Sequence, residues 1–219
     1  MHLFHCDAIL FDLDGVLVNS MPVIERQWRL WAAHNQIDMR VIQDVWHGRR
    51  AFEIIQIVAP HLDTAAEALI VAAAEAADTE GLQVYPGAHQ LLTALPPTQW
   101  AIATSGPLAV ASTRLGHAAL PFPEVFVTGD DVARGKPNPD PYLLAAARLG
   151  IPAARCVVIE DAPAGIEAGL AAGAQVIAIA STNPPAELHR ATAIVRTLAD
   201  LRVTSHPTGN YRLTIEVPG

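Results

Sequence analysis

The chain has 219 residues, 51% of them apolar, and its 14 Lys and Arg against 22 Asp and Glu give a formal net charge of −8. That length carries one good core or a core with a small second module, and apolarity at this level excludes a disordered chain. An acidic balance without a basic stripe argues against nucleic acid as a partner, and the longest alanine-rich run, residues 65–77, is too short and too acidic to span a bilayer, so no membrane association is expected.

In chain order, residues 8–13 read as an apolar strand. The N-terminal run around it is broken by Asp7, Asp12 and Asp14, unlike a secretory signal, so the cytoplasm is the expected compartment. Residues from about 20 to 82 then read as helical, with clear patterns at 21–35 and 64–79 punctuated by Pro60 and Gly81. Strand-like runs recur at 100–104, 125–127, 156–159 and 176–180. Helical patterns at 107–115, 139–149 and 164–172 separate them, ending before Gly116, Gly150 and Gly173. Strand alternating with helix predicts an α/β fold with a Rossmann-like parallel sheet core covered on both faces. The long helical excursion is expected as a small cap domain, residues 18–85, inserted after the first strand of a core made of residues 1–17 and 86–219. Residues 211–217 alternate apolar and polar and suggest a terminal strand. Cys6 and Cys156 lie in apolar runs and are expected as buried, reduced thiols.

The chemistry concentrates where the first strand ends, at Asp12-Leu13-Asp14-Gly15. Carboxylates are costly to desolvate, so two at a strand end need a cation, unless the segment is simply an exposed turn. Alternation along a strand puts Asp12 and Asp14 on one side, and Gly15 allows the sharp turn that brings the Asp14 carbonyl round as well. Three more strand ends or loops carry polar groups: Thr104-Ser105-Gly106, Lys136 between Gly135 and Pro137, and Glu160-Asp161 ahead of a helix. Taken singly, these also suit helix caps or a solvated lysine. In open parallel sheets ligands bind beyond the carboxyl ends of the strands, which is where all four lie.

With DLDGVL at 12–17, TSG at 104–106, GKPNPDPY at 135–142 and EDAPAGIEAGLAAG at 160–173, nearly the whole chain resembles the haloacid dehalogenase-like superfamily of phosphohydrolases with a helical cap. The stretch PEVFVTGDDVARGKP looks most like its bacterial sugar phosphatases and glycerol-phosphate phosphatases. The resemblance implies a magnesium-dependent phosphatase of small phosphorylated sugars or polyols that works through an aspartyl-phosphate. It makes Asp12 the nucleophile and Asp14 the general acid and base. Mg2+ would be held by Asp12, Asp161 and the backbone carbonyl of Asp14. Lys136 would bridge nucleophile and phosphate, Thr104 and the Ser105 amide would bind phosphoryl oxygens, and Glu160 would orient the metal's surroundings. The family's usual acid at the hinge is Asn19 here. In the cap, Trp46-His47-Gly48-Arg49-Arg50 resembles a specificity loop. His47, Arg49 and Glu25 are expected to bond substrate hydroxyls, with a solvated helix start as the plain alternative for Arg49 and Arg50. A phosphosugar mutase resembling beta-phosphoglucomutase is the alternative activity; its pattern carries a histidine where this chain has Ile24. Asp14 argues against a dehalogenase, because attack on carbon leaves no alkoxide to protonate. A non-catalytic binding module would have little use for Asp12, Lys136 and Asp161 together. The dispersed histidines do not suggest a zinc site, and a cap that must open favours a monomer.

Overall fold

The computed structural model describes residues 2–206 and 209–218. Its centre is β2 (Ala8–Phe11), which pairs in parallel with β5 (Trp100–Ala103) on one side and β7 (Cys156–Glu160) on the other. With β6 (Phe126–Val127), β8 (Gln175–Ile179) and β9 (Ala193–Val195) these strands form a six-stranded parallel sheet in the order β6-β5-β2-β7-β8-β9. The apolar runs are continuous because both faces are covered. Ile9 and Phe11 join a core with Leu91 and Leu92 of α5 (Ala88–Ala94) and Ala111 and Leu115 of α6 (Leu108–His117). Ala8 and Leu10 pack on the opposite side against Tyr142 and Ala145 of α7 (Asp140–Leu149) and Ile166 of α8 (Pro163–Ala171). Two of the three expected helix-ending glycines do follow a helix end in the left-handed region, Gly150 at φ 70° and Gly173 at φ 86°. Gly116 does not; it lies in the last turn of α6, which runs on to His117.

Register sets up the site. Phe11 stands opposite Ile102 and Ile159, so Asp12 and Glu160 leave the sheet at one level. The tail strand is β11 (Leu213–Val217), but it stays out of the main sheet. It lies between β1 (His2–Cys6) and β10 (Arg202–Ser205) in an antiparallel three-stranded sheet. Asp7 separates β1 from β2: its carboxylate accepts from the Arg155 guanidinium and from the Arg212 amide, and the Arg155 bond holds it below its ordinary carboxylate range.

Between β3 (Val18–Asn19) and β4 (Gln83–Val84), an antiparallel pair of its own, the chain makes four helices. They are α1 (Met21–His34), α2 (Met39–Gln43), α3 (Ala51–Val58) and α4 (Thr64–Ala77). Helices α2 and α3, one to two turns each, were not separately bounded from the sequence, because so short a segment shows little periodicity, although α3 does start at its N-cap Arg50. The four share an apolar cluster separate from both faces of the sheet, built on Trp28, Trp31, Ile42, Trp46, Ile55 and Val71. Trp28 and Trp31 meet edge to face at 5.4 Å. Asp63 caps α4 by accepting from the Ala65 and Ala66 amides.

Ile215 is fully buried in the seam between the small sheet and the main core. Ile215→Ala is expected to cost about 2–5 kcal/mol of stability, read as a lower urea midpoint at unchanged slope.

Candidate active site

Asp12 follows β2 directly and is 4% exposed, its amide continuing the parallel ladder to the Ile159 carbonyl at 3.0 Å. Oδ1 accepts from the Leu13 amide at 2.8 Å and lies 3.0 Å from Lys136 Nζ. Lys136, also buried, reaches Glu160 Oε1 at 2.6 Å. Glu160 is fully engaged. Tyr142 donates its hydroxyl to Oε1 at 2.7 Å, and the Asp161 and Ala162 amides donate to Oε2 at 2.9 and 3.2 Å. Asp161 accepts from the Thr182 hydroxyl, and its carbonyl accepts from Asn183 Nδ2 at 3.0 Å.

Two glycines make room for this packing. Gly15 turns at φ 78°, and a Cβ there would overlap the Asp161 carboxylate; a Cβ on Gly165, in the first turn of α8, would overlap the Glu160 carboxylate.

Asp12, Glu160 and Asp161 each offer an oxygen within 4.8 Å of the others. Three buried carboxylates thus lie beside one ammonium, which pairs directly with Asp12 and Glu160. Like charges about 4 Å apart repel by roughly 4 kcal/mol at an effective dielectric near 20. Burial pushes Asp12 up to about 7 against the pull of Lys136, and the Glu160 and Asp14 charges add to the rise. Burial, then the Glu160 and Asp12 charges, hold Asp161 well above its ordinary range. Lys136 is raised in turn: burial disfavours the ammonium, but the two carboxylates outweigh it. An all-oxygen donor set with surplus negative charge fits a hard divalent cation.

Asp14 stands apart from that cluster. Its Oδ1 takes Ser20 Oγ at 2.6 Å and Arg114 NH1 at 2.7 Å, and Thr104 Oγ1 approaches Oδ2 at 3.5 Å. Thr104, at the end of β5, also accepts from the Gly106 amide at 3.1 Å. Ser105 turns its hydroxyl to the Gly48 carbonyl at 2.8 Å, tying the loop before α3 to the sheet edge.

A single cavity brings together Asp12, Asp14, Thr104, Ser105 and Asp161 with His47 and Arg49, opposite an apolar wall that includes Ile24, Trp28 and Trp46. Lys136 and Glu160 sit beneath it. His47 is half buried beside the Trp46 ring, and burial lowers its basicity. Glu25 departs from expectation: one helical turn before Arg29, it is ion-paired to that arginine on the outer face of α1 and does not line the cavity. Arg50 is no solvated helix start either. Its guanidinium pairs with Glu53 at 2.6 Å and donates to the Val132 and Ala133 carbonyls at 2.9 and 3.0 Å. Sequence reasoning missed Ser20, Glu75, Arg114, Tyr142 and Thr182. Arg114 had a readable signal, a cation at the i+4 position from Val110 on the apolar face of α6.

A parallel sheet with this constellation beyond its strand ends defines a class of α/β hydrolases. Residues 6–173 match the model of the haloacid dehalogenase-like hydrolases, and the chain belongs to that family. It is 42% identical over 210 residues to hexitol phosphatase A of Escherichia coli, covering 94% of this chain and 97% of that one. It is 39% identical over 190 residues to glycerol-1-phosphate phosphohydrolase 2 of Saccharomyces cerevisiae, covering 80% and 75% respectively. Among solved structures, a hydrolase from Pseudomonas syringae matches with a TM-score of 0.79 at 28% identity, over 89% of this chain and 95% of that one.

Because Asp12 binds its proton more tightly folded than unfolded, its contribution to stability is full below about pH 4 and is lost as pH rises through about 7. The metal-free protein is therefore expected to lose stability across that window, and less so as Asp12→Asn. A divalent cation, which binds the deprotonated carboxylates, raises Tm more at about pH 8 than at about pH 5. Scanning fluorimetry reads both, and equal shifts at the two pH values would remove this cluster as the cation site.

Proposed function

We propose that this chain is a magnesium-dependent phosphatase of small phosphorylated sugars or polyols, acting through an aspartyl-phosphate on Asp12. The observation that carries it is the pair Asp12 and Asp14 on one cavity in opposite settings, one held by Lys136 among carboxylates, the other by Arg114 and hydroxyls. Two carboxyl groups so differently placed suit two roles. An Asp12 oxygen attacks phosphorus as the bond to the ester oxygen breaks, and the Asp14 carboxyl gives its proton to the departing alkoxide. Asp14 then takes a proton from the water that attacks the same phosphorus, releasing phosphate and restoring Asp12. Thr104 and the Ser105 amide are assigned to the phosphoryl oxygens, where negative charge develops. Magnesium, held by Asp12, Asp161 and the Asp14 carbonyl, would supply the positive charge that lets a carboxylate approach a phosphate dianion.

Residues 18–85 are assigned as the cap over a core of residues 1–17 and 86–219; the separate apolar cluster and the β3–β4 pair support that division. His47 and Arg49, facing the cavity, are assigned to substrate hydroxyls, while the apolar wall excludes water from the reaction. Ile24, on that wall, offers no proton-transfer group where the resemblance gives mutases a histidine, so hydrolysis is preferred. The similarity to phosphatases of hexitol and glycerol phosphates points to the same substrate class. A cytoplasmic monomer is the proposed setting, in keeping with the buried free thiols Cys6 and Cys156.

Asp12→Asn is expected to abolish phosphate release from a panel of sugar, polyol and nucleotide monophosphates while the circular dichroism spectrum stays native. Retained turnover would refute the nucleophile assignment. Arg49→Ala should raise KM about tenfold for a hexitol phosphate, the loss of one hydrogen bond of about 1.4 kcal/mol. The same change should move KM for p-nitrophenyl phosphate far less, and equal shifts would end the specificity role.

A further inference from the structure

Arg114 projects from the face of α6 that otherwise carries Val110, Ala111 and Leu115, and it is 3% exposed. A buried guanidinium is tolerated only with partners, and this one has two. NH1 meets Asp14 Oδ1 at 2.7 Å, and NH2 meets Glu75 Oε2 at 2.5 Å. Its Nε has no partner among the described residues, so the charge is compensated through those two carboxylates alone. The partners belong to different parts of the chain. Asp14 follows the central strand, whereas Glu75 sits on α4, one helical turn beyond buried Val71, where α4 packs on α6. The same cavity is lined by all three residues. Arg114 is thus held at one end by the helical segment and holds the Asp14 carboxylate at the other.

We propose that Arg114 and Glu75 are positioning residues for proton transfer: Glu75, brought by the helical segment, fixes the Arg114 guanidinium, which aims the Asp14 carboxyl at the leaving oxygen. This rests on the reading of Asp14 as general acid and base. A planar, forked guanidinium fixes direction as well as charge, which a lysine would not. Proton transfer depends steeply on such placement, because donor and leaving oxygen must meet within hydrogen-bond reach. Seating the helical segment and arming the acid then become one event. The plain alternative is an ion pair that merely fastens α4 to α6.

The test compares leaving groups in the full-length enzyme with magnesium. Nitrophenolate departs from p-nitrophenyl phosphate without a proton, whereas the alkoxide of glycerol 1-phosphate needs one. Glu75→Gln and Arg114→Lys should each lower the ratio of single-turnover rates, glycerol 1-phosphate over p-nitrophenyl phosphate, by about tenfold or more. Each should also expose a burst of nitrophenolate ahead of slowed turnover, since water activation suffers too. Adding Glu75→Gln to Asp14→Asn should lower that ratio no further, as residues acting through one group are non-additive. An unchanged ratio with a raised KM would reduce the pair to a fastening and overturn the inference. Glu75→Gln is nearly isosteric, and its Tm shows whether it stays folded should Arg114→Lys fail to. Asp14→Asn is the separate control. If it lowers the ratio and the other two do not, only this inference fails; if it does not lower the ratio, the acid–base reading of Asp14 fails with it.

Discussion

The structure turns on three crowded carboxylates, two of them paired with one buried ammonium, at the carboxyl edge of a parallel sheet. Parallel pairing brings Asp12 and Glu160 to the same level, and the turn at Gly15 closes Asp161 onto them. Of the three, only Glu160 is fully provided for, by Lys136, Tyr142 and two amides. Asp12 and Asp161 are left buried and crowded; burial first, and then the neighbouring carboxylates, make both hold protons more tightly than ordinary aspartates. Charge arranged in this way lowers the stability of the unliganded fold, a cost typical of sites built for function. Glu160 is therefore better understood as the anchor of Lys136 than as a free ligand. With both charges satisfied, the lysine is held still beneath Asp12, and its field is fixed in place before any substrate arrives.

Much of this was legible in the sequence, for reasons specific to each element. Residues 8–11, 100–103 and 156–159 are apolar at every position, so a doubly covered sheet followed directly. The acids and the threonine immediately beyond such runs stand at the sheet's edge, and Lys136 reaches it from the loop before α7. The β1–β11–β10 sheet was half seen, because the alternation in 213–217 is readable while one partner, β1, comes from the opposite end of the chain and the other, β10, is a short run beside it. Glu25 was misplaced for a different reason. On a helix whose buried face carries Val23, Trp28, Trp31 and Ala32, neighbouring positions point in different directions, and Ile24 turned out to face the cavity while Glu25 pairs with Arg29. Arg114 and Glu75 escaped because an ion pair between two helices depends on tertiary packing that neither helix announces.

The connection between the helical segment and the sheet is polar where it touches the site. Ser105 holds the Gly48 carbonyl, Arg50 holds the carbonyls of Val132 and Ala133, and Arg114 holds Glu75. The helices bury most of their apolar surface in a cluster of their own, with Trp28 and Trp46 at once part of that cluster and part of the cavity wall, while Val23 of α1 joins the core of the sheet. Hydrogen bonds exchanged for water contribute only about 0.5–1.5 kcal/mol each. Contacts of that size are exchanged for water more readily than an extended apolar interface would be. The buried cation of this seam, Arg114, is attached to Asp14 and not to Asp12. The setting of Asp12 is completed by the sheet and its loops, through Lys136 and Glu160. Asp14 is instead linked through Arg114 to Glu75 on α4, so its surroundings draw on the helical segment as well as on the sheet.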